Sequence, residues 1–239
     1  MLVAILKVKG TGILEFKGNG FIVNKKGLLL SAGHLFKESL DMKDYYAAVP
    51  SSTKRSKLYT IRKYYFEHFD PLKAESEDDF KRKKWPKYED LFIGRVLKLK
   101  PESHFKLRIK RPKADERLNS RCFLRRPDIE EFPFENGEVD LSSLQNVTES
   151  NPIKSREFSI VSDESNDYQK QPERIELIKR YNNTMWLKYP NGKGSSGSPI
   201  FNNDGDVVGI HLRGARPTEG HWKHILCSKY IRRQCRHIR

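Results

Sequence analysis

The segment Gly194-Ser195-Ser196-Gly197-Ser198-Pro199 carries the sharpest chemical signal in the chain. A serine followed by glycine and a small residue allows a tight turn that presents its side-chain oxygen outward. Glycine on both flanks lets backbone N–H groups approach a reacting carbonyl without side-chain obstruction. Donors of that kind stabilise a tetrahedral oxyanion and often supply the largest catalytic term in acyl transfer. The chemistry implied is nucleophilic attack by a serine oxygen, with Ser196 as the candidate. Pro199, Ile200 and Phe201 then begin a strand, Asn203-Asp204-Gly205 turns it, and 207–210 returns. A β-hairpin therefore stands directly behind the serine.

The elements that must hold such a turn read mostly as short strands. Apolar or alternating runs at 1–8, 12–16, 20–23 and 28–31 are separated by Gly, Asn and Lys turns. Further runs cover 45–49, 57–66, 91–99, 105–109, 174–181, 185–188, 207–212 and 223–227. Their aromatic and β-branched content suits half-buried strands, and their number points to a barrel or sandwich rather than βαβ units. Helices are scarce: one turn at 32–37, and a final helix capped by Ser228 that runs through Tyr230 and Ile231 to Cys235. Two charged, Pro-containing stretches, 70–88 and 112–151, read as surface insertions. The second falls at mid-chain, where a linker between two lobes would run.

With these residues in view the chain resembles the trypsin-like, chymotrypsin-fold serine proteases, whose nucleophile motif is G-x-S-G-G/S-P. Ser196 matches the nucleophile. The segment GNGFIVNKKGLLLSAGHLF, 18–36, resembles the family's G-x-G-F-x-V…L-T-A-x-H, which places His34 at the catalytic histidine. The run Asp90-Leu91-Phe92-Ile93 resembles the strand whose aspartate orients that histidine. Asp90 is the choice there, with Glu89 as near competitor and Asp78 and Asp79 behind. The order His, Asp, Ser along the chain agrees with the chymotrypsin arrangement. The resemblance further implies an oxyanion hole from the N–H groups of Gly194 and Ser196. Many members carry Asp before the nucleophile; Ser195 stands there here, which argues against activation by a buried ion pair to a newly cut N-terminus. Gly209-Ile210-His211-Leu212-Arg213-Gly214 resembles the G-I-H-x-x-G segment of glutamyl endopeptidases. That likeness puts His211, Arg213 and Gly214 in the substrate pocket, with His211 donating a hydrogen bond to an acidic or amide side chain. Similar motifs also occur in relatives that cut after aromatic residues, so that preference is the alternative.

The implied fold is all-β, two six-stranded antiparallel β-barrels with a short C-terminal helix, the cleft lying between them. His34 and Asp90 would come from the first lobe and Ser196 from the second. The corresponding organisation is one peptidase domain, 1–239, divided into an N-terminal barrel lobe (1–111), an inter-lobe linker or insertion (112–151), a C-terminal barrel lobe (152–227) and a C-terminal helix with basic tail (228–239).

Composition sets the outer bounds. Apolar residues make up 36% of the 239 residues and aromatics 11%, enough for a stable interior, while 32% are charged. The formal charge of +15 attracts polyanions at long range. Basic runs at 81–87, 106–126 and 232–239 read first as a solvated cationic surface and second as nucleic-acid contact. The three cysteines, Cys122, Cys227 and Cys235, are odd in number and unpaired in spacing, which speaks against a disulfide framework. No histidine spacing suggests a metal site, no phosphate-binding or dinucleotide motif occurs, and no cofactor is expected. No stretch is apolar and long enough to cross a bilayer, and the N-terminal apolar run is too short for a signal peptide. An intracellular protein, cytoplasmic or nuclear, is the expectation, and no oligomeric state is implied. The expected function is a serine endopeptidase acting on protein or peptide substrates. The alternative is a latent protease-fold module that binds nucleic acid or protein through its basic surface; a viral-like polyprotein protease is a third reading.

Overall fold

The computed structural model of the chain describes residues 1–36, 41–50, 55–68, 90–108, 118–125, 129, 131–149, 184–188, 194–214, 222–227, 231–232 and 235. Strands dominate them. The first lobe is built from β1 (Leu2–Gly10), β2 (Ile13–Ile22), β3 (Leu28–Ala32), β4 (Tyr45–Ala48), β5 (Ser56–His68) and β6 (Asp90–Val96). Antiparallel pairing runs β1–β2, β2–β3, β3–β6, β6–β5, β5–β4 and β4–β1, so these six strands close on themselves. Closure leaves no free edge among them.

Their residues explain the closure. Leu2, Val3, Ala4, Ile5 and Leu6 are all buried. A strand buried without alternation needs cover on both faces. Inside the ring, Phe36 stacks on Phe92 with ring centroids 3.8 Å apart, and the Tyr45 ring lies 5.1 Å from Phe36. Outside it, β1 and β2 lie against β8 (Leu118–Leu124) of the second lobe. Between β1 and β2 the register slips, Ile5 opposing Gly18 and Leu6 opposing Phe16. Lys17 is therefore the extra residue of a β-bulge, a device that bends a strand and re-aims the residues beyond it.

The second lobe orders its antiparallel strands as β11 (Gln145–Glu149), β8, β13 (Pro199–Asn202), β14 (Asp206–Gly214), β15 (Trp222–Cys227) and β12 (Thr184–Lys188). The hairpin behind Ser196 is present as β13 and β14. Its turn is closed by a hydrogen bond from Gly205 N–H to the Asn202 carbonyl (3.0 Å) and by Asp206 N–H donating to Asn202 Oδ1 (2.9 Å). One short strand, β7 (Lys106–Leu107), departs from the antiparallel expectation and pairs parallel with β14. The connection leaving β6 reaches the second sheet there, tied by Phe105 N–H to the Ile22 carbonyl (2.8 Å) and Arg108 N–H to the Val207 carbonyl (2.9 Å).

The stretch 112–151 differs from the linker expected of it. It contains β8, β9 (Glu131–Glu135), β10 (Glu138–Val139) and β11. β8 and β11 pair with each other in the second sheet, whereas β9 pairs with β2 and β10 with β5 of the first. The second lobe thus takes strands from well before residue 152. The first sheet gains the β9–β10 hairpin for a local reason: Asn136 (φ 53°) and Gly137 (φ 76°) both adopt the left-handed region that a two-residue hairpin of type I′ requires. At the C-terminus, Ile231, Arg232 and Cys235 are helical, as expected of the final helix. The run 174–181, the stretch 70–88 and Ser228 lie outside the described residues.

The stacked rings give the first prediction. Phe92→Ala should lower unfolding free energy by about 3–5 kcal/mol, the range for emptying a large buried ring site; urea denaturation followed by circular dichroism measures it.

Candidate active site

The pairing of β3 with β6 sets Ala32 opposite Leu91, so the chain just after β3 meets the first residue of β6. That chain forms a 3₁₀ turn, Gly33–Phe36, which carries His34; the first residue of β6 is Asp90. Asp90 Oδ1 accepts the backbone N–H of His34 at 2.6 Å, and Oδ2 lies 2.7 Å from His34 Nδ1. The carboxylate side chain is 0% exposed and the imidazole 26%. Against an ionised carboxylate, which can only accept hydrogen bonds, Nδ1 is the ring nitrogen that donates, which leaves Nε2 for other partners. Two contacts to one turn fix both the position and the tilt of the ring. Glu89, Asp78 and Asp79, the alternative acids, lie outside the described residues.

Ser196 comes from the other lobe, in the turn that precedes β13. Gly194 (φ 96°) and Gly197 (φ 82°) hold the left-handed conformations that bend this turn. Its backbone is tied on both sides. The Ser196 carbonyl accepts the N–H of Asn19 from β2 at 2.8 Å; Gly197 N–H donates to the His211 carbonyl at 2.7 Å; His211 N–H donates to the Ser198 carbonyl at 2.9 Å. Within the turn, the Ser195 carbonyl accepts from Ser198 N–H (3.2 Å) and Ser198 Oγ (2.7 Å). Among the described residues, the N–H groups of Gly194 and Ser196 meet no protein acceptor.

Close approach of the lobes rests on two missing side chains. A Cβ on Gly18 would sit 2.7 Å from the Ser196 carbonyl oxygen, and one on Gly197 would overlap the Asn19 carbonyl oxygen and the Ser31 hydroxyl. Asn19 itself is buried, and its side chain reaches Gly194 and Phe123. The motif G-x-G-F does not single it out. The available signal is a polar amide, between two glycines, in a strand whose neighbours are apolar.

Of the expected pocket residues, His211 sits on β14 with 1% exposure, its backbone bound to the Ser196 turn. A register shift comes after it, beyond which Arg213 opposes His224 and Gly214 opposes Lys223 of β15. Burial raises the Cys235 thiol to about 11, which leaves it almost wholly protonated at neutral pH. Among the described residues no three His, Cys, Asp or Glu side chains are grouped to hold a metal, and no helix is long and apolar enough to cross a membrane.

Across residues 18–210 the sequence matches the family described as a trypsin-like peptidase domain. The chain belongs to that family. Comparison with curated proteins gave no match. Among solved structures, the scabies mite inactivated protease paralogue S-D1 is similar with a TM-score of 0.63 and 16% identity, covering 99% of this chain and 91% of that one. The protease domain of MamO from Magnetospirillum magneticum is similar with a TM-score of 0.59 and 11% identity, covering 100% and 95%. At these identities the likeness is one of fold, and the fold shared is the chymotrypsin fold.

Two glycines of this member of the trypsin-like peptidase domain family make a paired test. Gly205 also has positive φ (79°), but a Cβ there would meet nothing within 4 Å. Gly205→Ala should cost only the left-handed penalty of about 1–2 kcal/mol. Gly197→Ala adds overlap with backbone and should cost more than about 3 kcal/mol. Thermal unfolding of the two variants side by side reads the difference.

Proposed function

We propose that this chain is a serine endopeptidase that hydrolyses peptide bonds through an acyl-enzyme on Ser196. The observation that carries the reading is the double contact of buried Asp90 with the His34 turn. It fixes the tautomer in which Nε2 can take the Ser196 hydroxyl proton as general base. The imidazolium that results is stabilised by the same carboxylate, which stays ionised. The N–H groups of Gly194 and Ser196 receive the oxyanion. His34 then returns its proton to the leaving amine, and a water, deprotonated by the same imidazole, releases the acyl group. His211, Arg213 and Gly214 line the primary pocket in this reading and favour an acidic or amide side chain.

Labelling by a fluorophosphonate probe tests the assignment. Wild type should label, Ser196→Ala should not, and His34→Ala should react at least about a thousandfold more slowly, with Asp90→Asn in the range of about 10³–10⁴. A folded wild type that stays unlabelled, or labelling that survives Ser196→Ala, would sink the proposal.

A second reading, nucleic-acid binding by the protease fold, has one specific observation in its favour. Arg62 and Arg95 are exposed and directly opposed across β5 and β6. Like charges in that arrangement are destabilising, and among the described residues neither guanidinium reaches a carboxylate. Arg62 lies over the Tyr64 ring at 5.8 Å, and Tyr64 is itself exposed, which joins charge to a stacking surface. If this face takes single-stranded nucleic acid, Arg62→Ala with Arg95→Ala should weaken binding and flatten its salt dependence by about one or two units of slope. An unchanged slope would remove the reading.

A further inference from the structure

We infer that Asn19 is a positioning residue that sets the Ser196 turn from the first barrel through its uncharged side-chain amide. The inference rests on the peptidase reading for its catalytic consequence, and on the hydrogen bonds alone for the ordering of the turn.

Asn19 is fully buried on β2, two residues past the bulge at Lys17. Every polar group it has is engaged. Its backbone N–H donates to the Ser196 carbonyl (2.8 Å), and its own carbonyl accepts the Ser31 hydroxyl (2.6 Å). Side-chain Oδ1 accepts the Phe123 N–H at 2.7 Å; Nδ2 donates to the Gly194 carbonyl at 2.7 Å and to the Phe123 carbonyl at 3.1 Å. The amide orientation is set by its partners, because an N–H can only donate and the two carbonyls can only accept. Asparagine is thus matched to a site that demands an acceptor and a two-proton donor on one short side chain. Aspartate lacks the donors, and an aliphatic residue would strand three buried backbone groups.

The consequence lies in which peptide planes are held. A peptide unit is planar, so pinning its carbonyl pins its N–H. Nδ2 of Asn19 holds the Gly194–Ser195 unit and its backbone N–H holds the Ser196–Gly197 unit. The Ser195–Ser196 unit between them is held by Ser198. Three successive units around the nucleophile are therefore fixed, two of them by one residue of the opposite lobe. Ser195 offers no carboxylate for an ion pair to organise this turn. The amide of Asn19 does that work within the folded chain.

The test uses Asn19→Ala and Asn19→Asp in the full chain, with two readouts. In hydrogen–deuterium exchange, Asn19→Ala should speed exchange of peptides covering 194–202 by about tenfold or more, while peptides from β3 and β6 keep wild-type protection. In fluorophosphonate labelling, the same variant should react about 10- to 100-fold more slowly at saturation, with the half-saturating probe concentration within about threefold of wild type. Asn19→Asp adds a pH signature. Its carboxylate would face two carbonyl oxygens in a buried site, which raises its pKa; once protonated it regains one donor toward Gly194. Its labelling rate, as a ratio to wild type at the same pH, should therefore climb between about pH 8 and pH 6.

Unchanged exchange over 194–202 in Asn19→Ala overturns the inference whether or not the protein is active. Wild-type labelling by that variant also overturns it. Loss of protection throughout both lobes in both variants overturns it too, because Asn19 would then be needed for the fold as a whole. If wild type does not label but the exchange result is as expected, the ordering role stands and the peptidase reading fails.

Discussion

His34 and Ser196 stand on different lobes, so their relation is only as well defined as the contact between those lobes. That contact centres on Asn19, whose backbone and side-chain amide both cross to the second lobe. The Asn19 N–H meets the Ser196 carbonyl, and Gly18 and Gly197 leave out the side chains that would push the strands apart. Hydrophobic packing of β1 and β2 against β8 brings the lobes together, but packing alone is non-directional. Directional bonds at the point of closest approach convert a general attraction into one register. The glycines and the bulge at Lys17 are what allow the bonds to form.

Burying Asp90 completely has an electrostatic cost, since a carboxylate removed from water loses its hydration. Two N–H donors from the His34 turn offset that cost, and charge-assisted bonds of this length are among the stronger ones available to a protein. The second of these bonds calls for a proton on Nδ1. Stability and chemistry are therefore served by one arrangement here: a carboxylate left without either donor would be expensive, and an imidazole left without the carboxylate would be free to tilt. The 3₁₀ turn matters because it presents the N–H and the ring of one residue to the same acid.

What could be read from the sequence was local. The serine turn, its hairpin and the His34 segment are contiguous motifs, so each announces itself within a few residues. Asp90 is legible only by its place before an apolar run, because nothing local marks a residue whose partner is fifty-six positions away. Asn19 escapes notice for the same reason: its partners lie one hundred and four and one hundred and seventy-five positions on. The stretch 112–151 misleads differently. Its Glu, Pro and Arg content hides strands that pair on polar, partly exposed edges, although Asn136-Gly137 is a strong hairpin signal. At that point a turn dipeptide is the better guide than composition.

That stretch also changes how the lobes relate. β8 lies in the second sheet, the β9–β10 hairpin joins the first between β2 and β5, and β11 returns to the second beside β8. A chain that leaves one sheet for the other and comes back within residues 118–149 cannot leave either lobe complete without its neighbour. Separating the lobes would either strip β9 from β2, the strand that carries Gly18 and Asn19, or pull β8 and β11 from the second sheet, and would uncover β1 where it meets β8. The lobes are then better regarded as one cooperative unit than as two domains with a linker. For a site assembled across the boundary this is the useful arrangement: the strand that aims Asn19 at the Ser196 turn is itself stiffened by a hairpin whose sequence neighbours, β8 and β11, belong to the sheet that carries that turn.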